Sequence, residues 1–135
     1  PQQGQTITVA QKNMLIRNMQ LTFPGDYAVK MAGPTLQKAG VKQEFLGRNN
    51  IQNTFQNILI AADMSKNPQI SGILGQLGSQ YEQAVRRGSG RTVEGASESA
   101  TVIIKYMEEY GDELVKAALS GPGAIYASYL TQGGR

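Results

Sequence analysis

The sequence predicts an all-α protein, with a body made of a helical hairpin or bundle and an extended N-terminal arm of jointed helices. Three observations predict this fold class. Apolar residues recur at helical spacing in three segments, residues 51–62, 70–85 and 100–118. Breaks containing proline or glycine separate these segments, and no stretch supports a strand. With 135 residues, 40% of them apolar, the chain is long enough for one domain with a small core.

The predicted arm, residues 1–48, consists of short helices with frequent breaks. A first helix is expected over residues 8–20, before the break at Phe23-Pro24-Gly25. Asp26 is expected to cap a second short helix, which Gly33-Pro34 ends. A third helix then runs over residues 34–46, with an interruption at Gly40.

The predicted body, residues 49–135, completes the same structural unit and carries the clearest helical pattern. Asn49 or Asn50 is expected to cap the first apolar stripe, and Asn67-Pro68 separates it from the second, so that the two helices form an antiparallel hairpin. A long helix follows over about residues 94–119. The final apolar stretch, 124–130, carries two tyrosines that suit a core or an interface equally well.

The composition argues against most enzyme classes. The chain has no cysteine, which excludes disulfides, thiolate metal sites and cysteine nucleophiles. It has no histidine, so the commonest general base and metal ligand is missing as well. We therefore expect a non-enzymatic protein without cofactor or metal. A chain that begins at Pro1, with no leader or membrane span, is expected to be an intracellular product that has lost its initiator methionine, although a processed precursor would look the same.

Charge is distributed unevenly along the chain. Residues 1–93 contain ten basic and four acidic side chains, a net charge of +6. Residues 94–135 contain three basic and six acidic side chains, a net charge of −3. A chain of this kind is able to attract a polyanion with one part while the other faces basic surfaces of neighbouring subunits.

Basic and amide side chains of the first part are the candidate nucleic-acid contacts, because they supply hydrogen bonds to phosphate and sugar without an evident base-reading helix. The candidates are Lys12, Arg17, Lys30, Lys38, Lys42, Arg48, Asn49, Gln52, Arg86, Arg87 and Arg91. The last three flank glycines, which let a backbone approach a phosphate closely, but a solvated helix C-terminus explains those arginines equally well. The spacing of Gly90 and Gly95 resembles a phosphate-binding loop without its lysine, and an interhelical loop is the better interpretation.

Two further features favour packing between subunits. Gly72, Gly75 and Gly78 give one predicted helix a smooth face at a cost of roughly 1 kcal/mol per glycine, which the close approach of another backbone would offset. The long helix carries four carboxylates, Glu108, Glu109, Asp112 and Glu113. A solvated face is their default interpretation, followed by a docking surface for a basic neighbour, and a cation site is a weak third.

The chain resembles the major coat proteins of filamentous archaeal viruses, the rudivirus, lipothrixvirus and tristromavirus group. The likeness rests on small size, a polar and basic arm (2–48), a helical hairpin (50–87), and an acidic helix that ends at Leu119-Ser120-Gly121-Pro122-Gly123 before a tyrosine-bearing tail. The resemblance implies paired subunits that wrap double-stranded DNA, hold it in the A form and stack into a helical virion. The arm would then clasp the DNA and the body would form the outer wall.

The expected partners are therefore double-stranded DNA, bound without sequence preference, and further coat subunits. The expected location is the virion, after synthesis in the host cytoplasm. The sequence leaves open whether the nucleic acid is DNA or RNA, whether a second copy or a paralogous coat protein completes the dimer, and whether a lipid envelope lies outside. Two other functions also remain: a subunit of a nucleic-acid-free tube or filament, such as a tail or pilus, and a small helical DNA-binding protein of the chromatin type.

Overall fold

The computed structural model describes residues 24–87 and 97–131. These ranges contain the α-helices α1 (Gly25–Lys38), α2 (Ile51–Met64), α3 (Pro68–Arg87) and α4 (Glu98–Ser120). Three 3₁₀ helices accompany them: Gln43–Phe45, Pro122–Tyr126 and Ser128–Leu130. The same ranges contain no strand beyond an isolated antiparallel bridge between Val41 and Thr131. The prediction of an all-α fold is confirmed.

Helix α4 is the centre of the fold, because α1, α2 and α3 all pack against it. Its buried side chains include Ile103, Ile104 and Leu114, which are almost fully shielded from solvent. Helices α2 and α3 are consecutive, as the hairpin prediction requires, but they contact each other at few points and each packs mainly on α4. The hairpin is therefore held together through a third helix.

Helix α1 differs from the prediction at both of its ends. It runs through Gly33-Pro34 and ends at Lys38. Proline is tolerated here because Pro34 is exposed and the preceding glycine has no Cβ to clash with the proline ring. Gly40 then adopts a left-handed φ of 105° directly after the helix, where glycine is favoured. Asp26 is not the cap: Pro24 holds that position, and Asp26 lies in the first turn.

The described part of the predicted arm packs into the core. Ala28, Ala32 and Leu36 form an i, i+4, i+8 stripe on α1 that is completely buried. Val41 and Leu46 continue into the same apolar cluster, which also contains residues of the other three helices. Residues 25–46 are thus part of the body. The first helix of the arm, predicted over residues 8–20, lies outside the described residues.

Helix α3 runs antiparallel to α4. Arg87 at the end of α3 forms an ion pair with Glu98 at the start of α4, while Ser65, just before α3, lies against Gly121, just after α4. Ser97 caps α4, since its hydroxyl accepts the backbone N–H of Ala100 at 3.2 Å. The predicted end of α4 at residues 120–123 is close to the observed one.

The segment after α4 folds back over α2. Gly123 lies so close to Ala61 that an added Cβ would be 2.6 Å from its Cα atom. Further along, the backbone N–H of Lys42 donates to the carbonyl oxygen of Leu130 at 2.7 Å. Within residues 24–87 and 97–131, no helix is long and apolar enough to cross a membrane.

Candidate nucleic-acid interface and neighbouring surfaces

The candidate contacts near α1 face solvent or lie at the surface. Lys30, Lys38, Arg48 and Asn49 are exposed, whereas Lys42 and Gln52 are half-buried. Lys38 lies in the last turn of α1, and Lys42 follows it after the Ala39–Gly40 turn. Lys12, Arg17 and Arg91 lie outside the described residues.

Arg48 lies beside the first turn of α1, and Lys30 lies in its second turn. The backbone of Arg48 contacts Gly25 so closely that a Cβ on this glycine would overlap the Arg48 carbonyl group. The Arg48 side chain is 3.7 Å from the carboxylate of Asp26, one turn before Lys30. Lys38 follows Lys30 by eight positions, about 12 Å along α1, and Arg48 lies beyond Lys30 beside the first turn, so the cations are spread along the roughly 20 Å length of this helix.

Arg86 and Arg87 form a separate basic location at the end of α3. Arg86 pairs with Glu82 at 3.0 Å, and Arg87 pairs with Glu98 at 3.3 Å. Helix α1 meets α4 near residue 108, where the hydroxyl of Thr35 donates to the Glu108 carbonyl oxygen at 2.9 Å. Glu98 precedes that contact by ten positions on α4, a distance of about 15 Å along the helix. The candidates that lie in residues 24–87 and 97–131 are therefore not gathered into one patch.

The ion pairs are weak competitors for a phosphate. The paired side chains of Arg48, Arg86 and Arg87 keep 57–77% of their surface exposed. Exposed pairs of this kind contribute about 0–1 kcal/mol. A polyanion that presents several phosphates at once is able to replace the carboxylates at small cost.

The carboxylates of α4 line a solvated surface. Glu109 and Glu113 are exposed, and Asp112 pairs with Lys116 at 3.1 Å. Among the described residues, no group of three acidic side chains is arranged to hold a metal ion.

A cleft between α3 and α4 was not predicted from the sequence. It consists of two adjoining cavities of about 390 and 530 Å³, which share Gln76, Gln80, Arg87 and Val102 in their walls. Gln83 and the buried Gly75 line the first cavity. The sequence did contain a signal for the cleft: residues 76, 80, 83 and 87 are polar and follow one another at steps of four, three and four, which places them on one face of α3.

Tyrosines of α4 form the opposite wall of the cleft. Tyr106 and Tyr110 lie with ring centroids 5.5 Å apart. Burial raises the pKa of Tyr106, and the nearby Tyr110 and Glu109 raise it further, while a side-chain hydrogen bond with Gln80 opposes the shift. That hydrogen bond joins the two walls.

The C-terminal segment exposes apolar side chains. Ile125, Tyr126 and Tyr129 keep 77%, 44% and 49% of their surface in contact with solvent. Tyr129 also packs edge-on against Phe45, with ring centroids 5.4 Å apart, and its hydroxyl accepts a hydrogen bond from the amide of Asn57 at 2.7 Å. The sequence left open whether Tyr126 and Tyr129 lie in the core or at an interface, and both lie at the surface.

Comparison with known proteins gives no relative: the chain matches no family model, no curated protein and no solved structure.

Proposed function

We propose that this protein is a structural nucleocapsid subunit that binds double-stranded DNA without sequence preference and assembles with further subunits into a helical filament. The observation that carries the proposal is a set of cations along α1: exposed Arg48 beside its first turn, exposed Lys30 in its second turn, exposed Lys38 in its last turn and half-buried Lys42 just after it. From Arg48 through Lys30 to Lys38, these cations cover about 20 Å, which suits a repeating backbone of phosphates better than a single small anion.

The distribution of these cations favours contact with the phosphate backbone over base reading. They come from α1, from the loop after it and from the turn before α2. Sequence-specific proteins usually present several base-reading side chains on one element that enters a groove. Asn49, exposed beside Arg48, adds a neutral hydrogen-bonding group that suits a phosphate or sugar oxygen.

The exposed apolar surface at residues 125–129 supports self-assembly. Single exposed apolar residues are normal, but three of the four large apolar side chains most exposed among the described residues belong to this short segment. A neighbouring subunit that covers them would gain roughly 25 cal/mol for each Å² of apolar surface removed from water.

The resemblance to filamentous archaeal virus coat proteins supports the finer parts of the proposal. It suggests DNA in the A form, a location in the virion after synthesis in the host cytoplasm, and a second or paralogous coat subunit as partner, with or without an envelope outside. The absence of cysteine and histidine supports a structural role without cofactor or catalysis.

Salt dependence of DNA retention tests the proposal. The logarithm of the binding constant should fall with the logarithm of salt concentration by about 0.9 for each phosphate neutralised. The double variant Lys38→Gln/Lys42→Gln should therefore reduce the slope by about 2, because it removes two contacts. The matched control is Lys116→Gln, which removes the same kind of charge from the acidic surface of α4 and should leave the slope nearly unchanged.

Either of two results would contradict the proposal: a slope that is the same in the double variant and the parent, or regular filaments of pure protein that exclude added DNA. The second result would favour a subunit of a nucleic-acid-free tube. One observation speaks for that alternative, because Arg48, Arg86 and Arg87 already have carboxylate partners within the chain. Native filaments of such a tube would resist nuclease and lack the ultraviolet absorbance of nucleic acid.

A further inference from the structure

The cleft between α3 and α4 has a chemistry unlike that of the cationic surface. Its ionic side chains are balanced, with Arg87 and Lys105 against Glu98 and Glu109. A polyanion gains little from a site without net charge. The cleft therefore suits a different partner from the one proposed for α1.

Neutral hydrogen-bonding side chains dominate the rest of the wall. Gln76, Gln80 and Gln83 follow one stripe of α3, and each amide is able both to donate and to accept. Thr101 and Tyr106 add hydroxyls from α4. A polypeptide main chain offers one donor and one acceptor per residue, so an extended segment fits this wall better than a purely apolar or purely anionic ligand.

The dimensions of the cleft agree with a short extended segment. Gln76 and Arg87, the ends of the polar stripe, are eleven positions apart on α3, about 16 Å. About five residues of an extended chain, at about 3.3 Å each, span that length. Gly75 lines the cleft and adds no side chain to its wall.

The chain itself contains a segment of matching chemistry. Residues 1–11, which lie outside the described part, have no charged side chain and include Gln2, Gln3, Gln5 and Gln11. The β-branched run Thr6-Ile7-Thr8-Val9 favours an extended backbone, so in the bound segment the helix predicted over residues 8–20 would begin only after residue 11. Residues 12–23 connect this segment to Pro24 and reach about 23 Å when residues 12–20 are helical, as predicted. A domain of this length has a radius of gyration of about 14 Å, so the connection is long enough to reach another subunit.

We propose that the cleft between α3 and α4 binds residues 1–11 of a second copy of this chain in an extended conformation. The inference rests on the proposed self-assembly and names the contact that links neighbouring copies. In this arrangement the uncharged first residues of the predicted arm join subunits, and the cations further along the arm bind DNA.

Cysteine cross-linking tests this contact cleanly because the natural chain has no cysteine. A Gln5→Cys chain is mixed under oxidising conditions with a Gln83→Cys chain that carries a mass tag. The control partner is Gln69→Cys, an exposed glutamine on the same helix that does not line the cleft. A heterodimer is expected with Gln83→Cys in at least about tenfold excess over the control, because binding raises the local thiol concentration into the millimolar range. Adding Gln76→Trp, which fills the cleft, should lower the yield to the control level while circular dichroism shows an intact helical fold.

Equal yields with the two partner cysteines would overturn the inference. So would a double variant, Gln5→Cys/Gln83→Cys, that cross-links within one chain while the mixture forms no heterodimer. The salt-dependent DNA retention of the same variants keeps the two proposals separate. Steep salt dependence without the heterodimer would refute only the cleft contact, and the heterodimer without DNA retention would refute only DNA binding.

Discussion

Gly123 offers the most direct test of how the C-terminal segment packs. In Gly123→Ala the new Cβ would lie 2.6 Å from the Cα and 2.9 Å from the carbonyl oxygen of Ala61. Both atoms belong to the backbone of α2, so no side chain is able to rotate away. The 3₁₀ helix or α2 must shift, and overpacking of this kind costs about 1–3 kcal/mol.

Gly72→Ala is the matched control for this substitution. Gly72 lies exposed inside α3, and an added Cβ there would meet no atom within 4 Å. Replacing an exposed helical glycine by alanine stabilises a helix by about 0.5–1 kcal/mol, because the unfolded chain loses conformational freedom. The same chemical change should therefore have opposite effects at the two positions.

Thermal unfolding followed by circular dichroism measures both effects. At about 4 °C for each kcal/mol in a chain of this size, Gly123→Ala should lower Tm by about 4–12 °C and Gly72→Ala should raise it by about 2–4 °C. An unchanged or higher Tm for Gly123→Ala would refute the close packing of the C-terminal segment on α2. A lower Tm for Gly72→Ala would show that this face of α3 is covered.

Three further predictions concern individual polar groups. Ser97→Ala removes the cap of α4 and should cost about 1 kcal/mol in urea unfolding, while Ser97→Thr should retain most of that stability. Thr54→Val removes the donor that reaches the carbonyl oxygen of Phe45 at 2.7 Å and should cost about 1–3 kcal/mol by the same measurement, because Thr54 is buried. Burial raises the pKa of Tyr81 above its ordinary value of 10.0, so the unfolded chain releases this proton first. The stability that the protonated phenol contributes is complete below pH 10.0 and is lost as the pH rises toward the raised pKa; Tyr81→Phe should make the alkaline loss of stability shallower.

Each of these predictions has a result that would contradict it. Equal stability of Ser97→Ala and Ser97→Thr would show that the hydroxyl does not hold the start of α4. A Thr54→Val variant as stable as the parent would mean that the Phe45 carbonyl oxygen accepts a hydrogen bond from water instead. For Tyr81→Phe, the contradicting result is an unfolding free energy that falls with pH as steeply as in the parent.

The sequence determined the fold class and most helix positions, because helix periodicity is a local signal. Ile51, Phe55 and Ile58 recur at steps of four and three, and all three are buried in α2 as the spacing requires. The break at Asn67-Pro68 and the end of the long helix could also be predicted, since turn and cap residues affect only the backbone of a few neighbouring residues. The prediction that α1 ends at Gly33-Pro34 was wrong, because local rules do not include burial. The helix continues through Pro34 since burial of the apolar stripe through Leu36 outweighs the cost of the proline.

Which surfaces meet depends on contacts between residues that are far apart in the chain. The contact of Thr35 with Glu108 joins residues 73 positions apart, and no periodicity reports such a distance. For the same reason, the central place of α4, the ion pair between Arg87 and Glu98, and the cleft beside it emerge only when the helices are packed. Composition showed that the chain carries basic and acidic parts. Packing determines that the candidate cations in the described residues divide between the neighbourhood of α1 and the end of α3, because the fold, and not the order of residues, sets the distance between them.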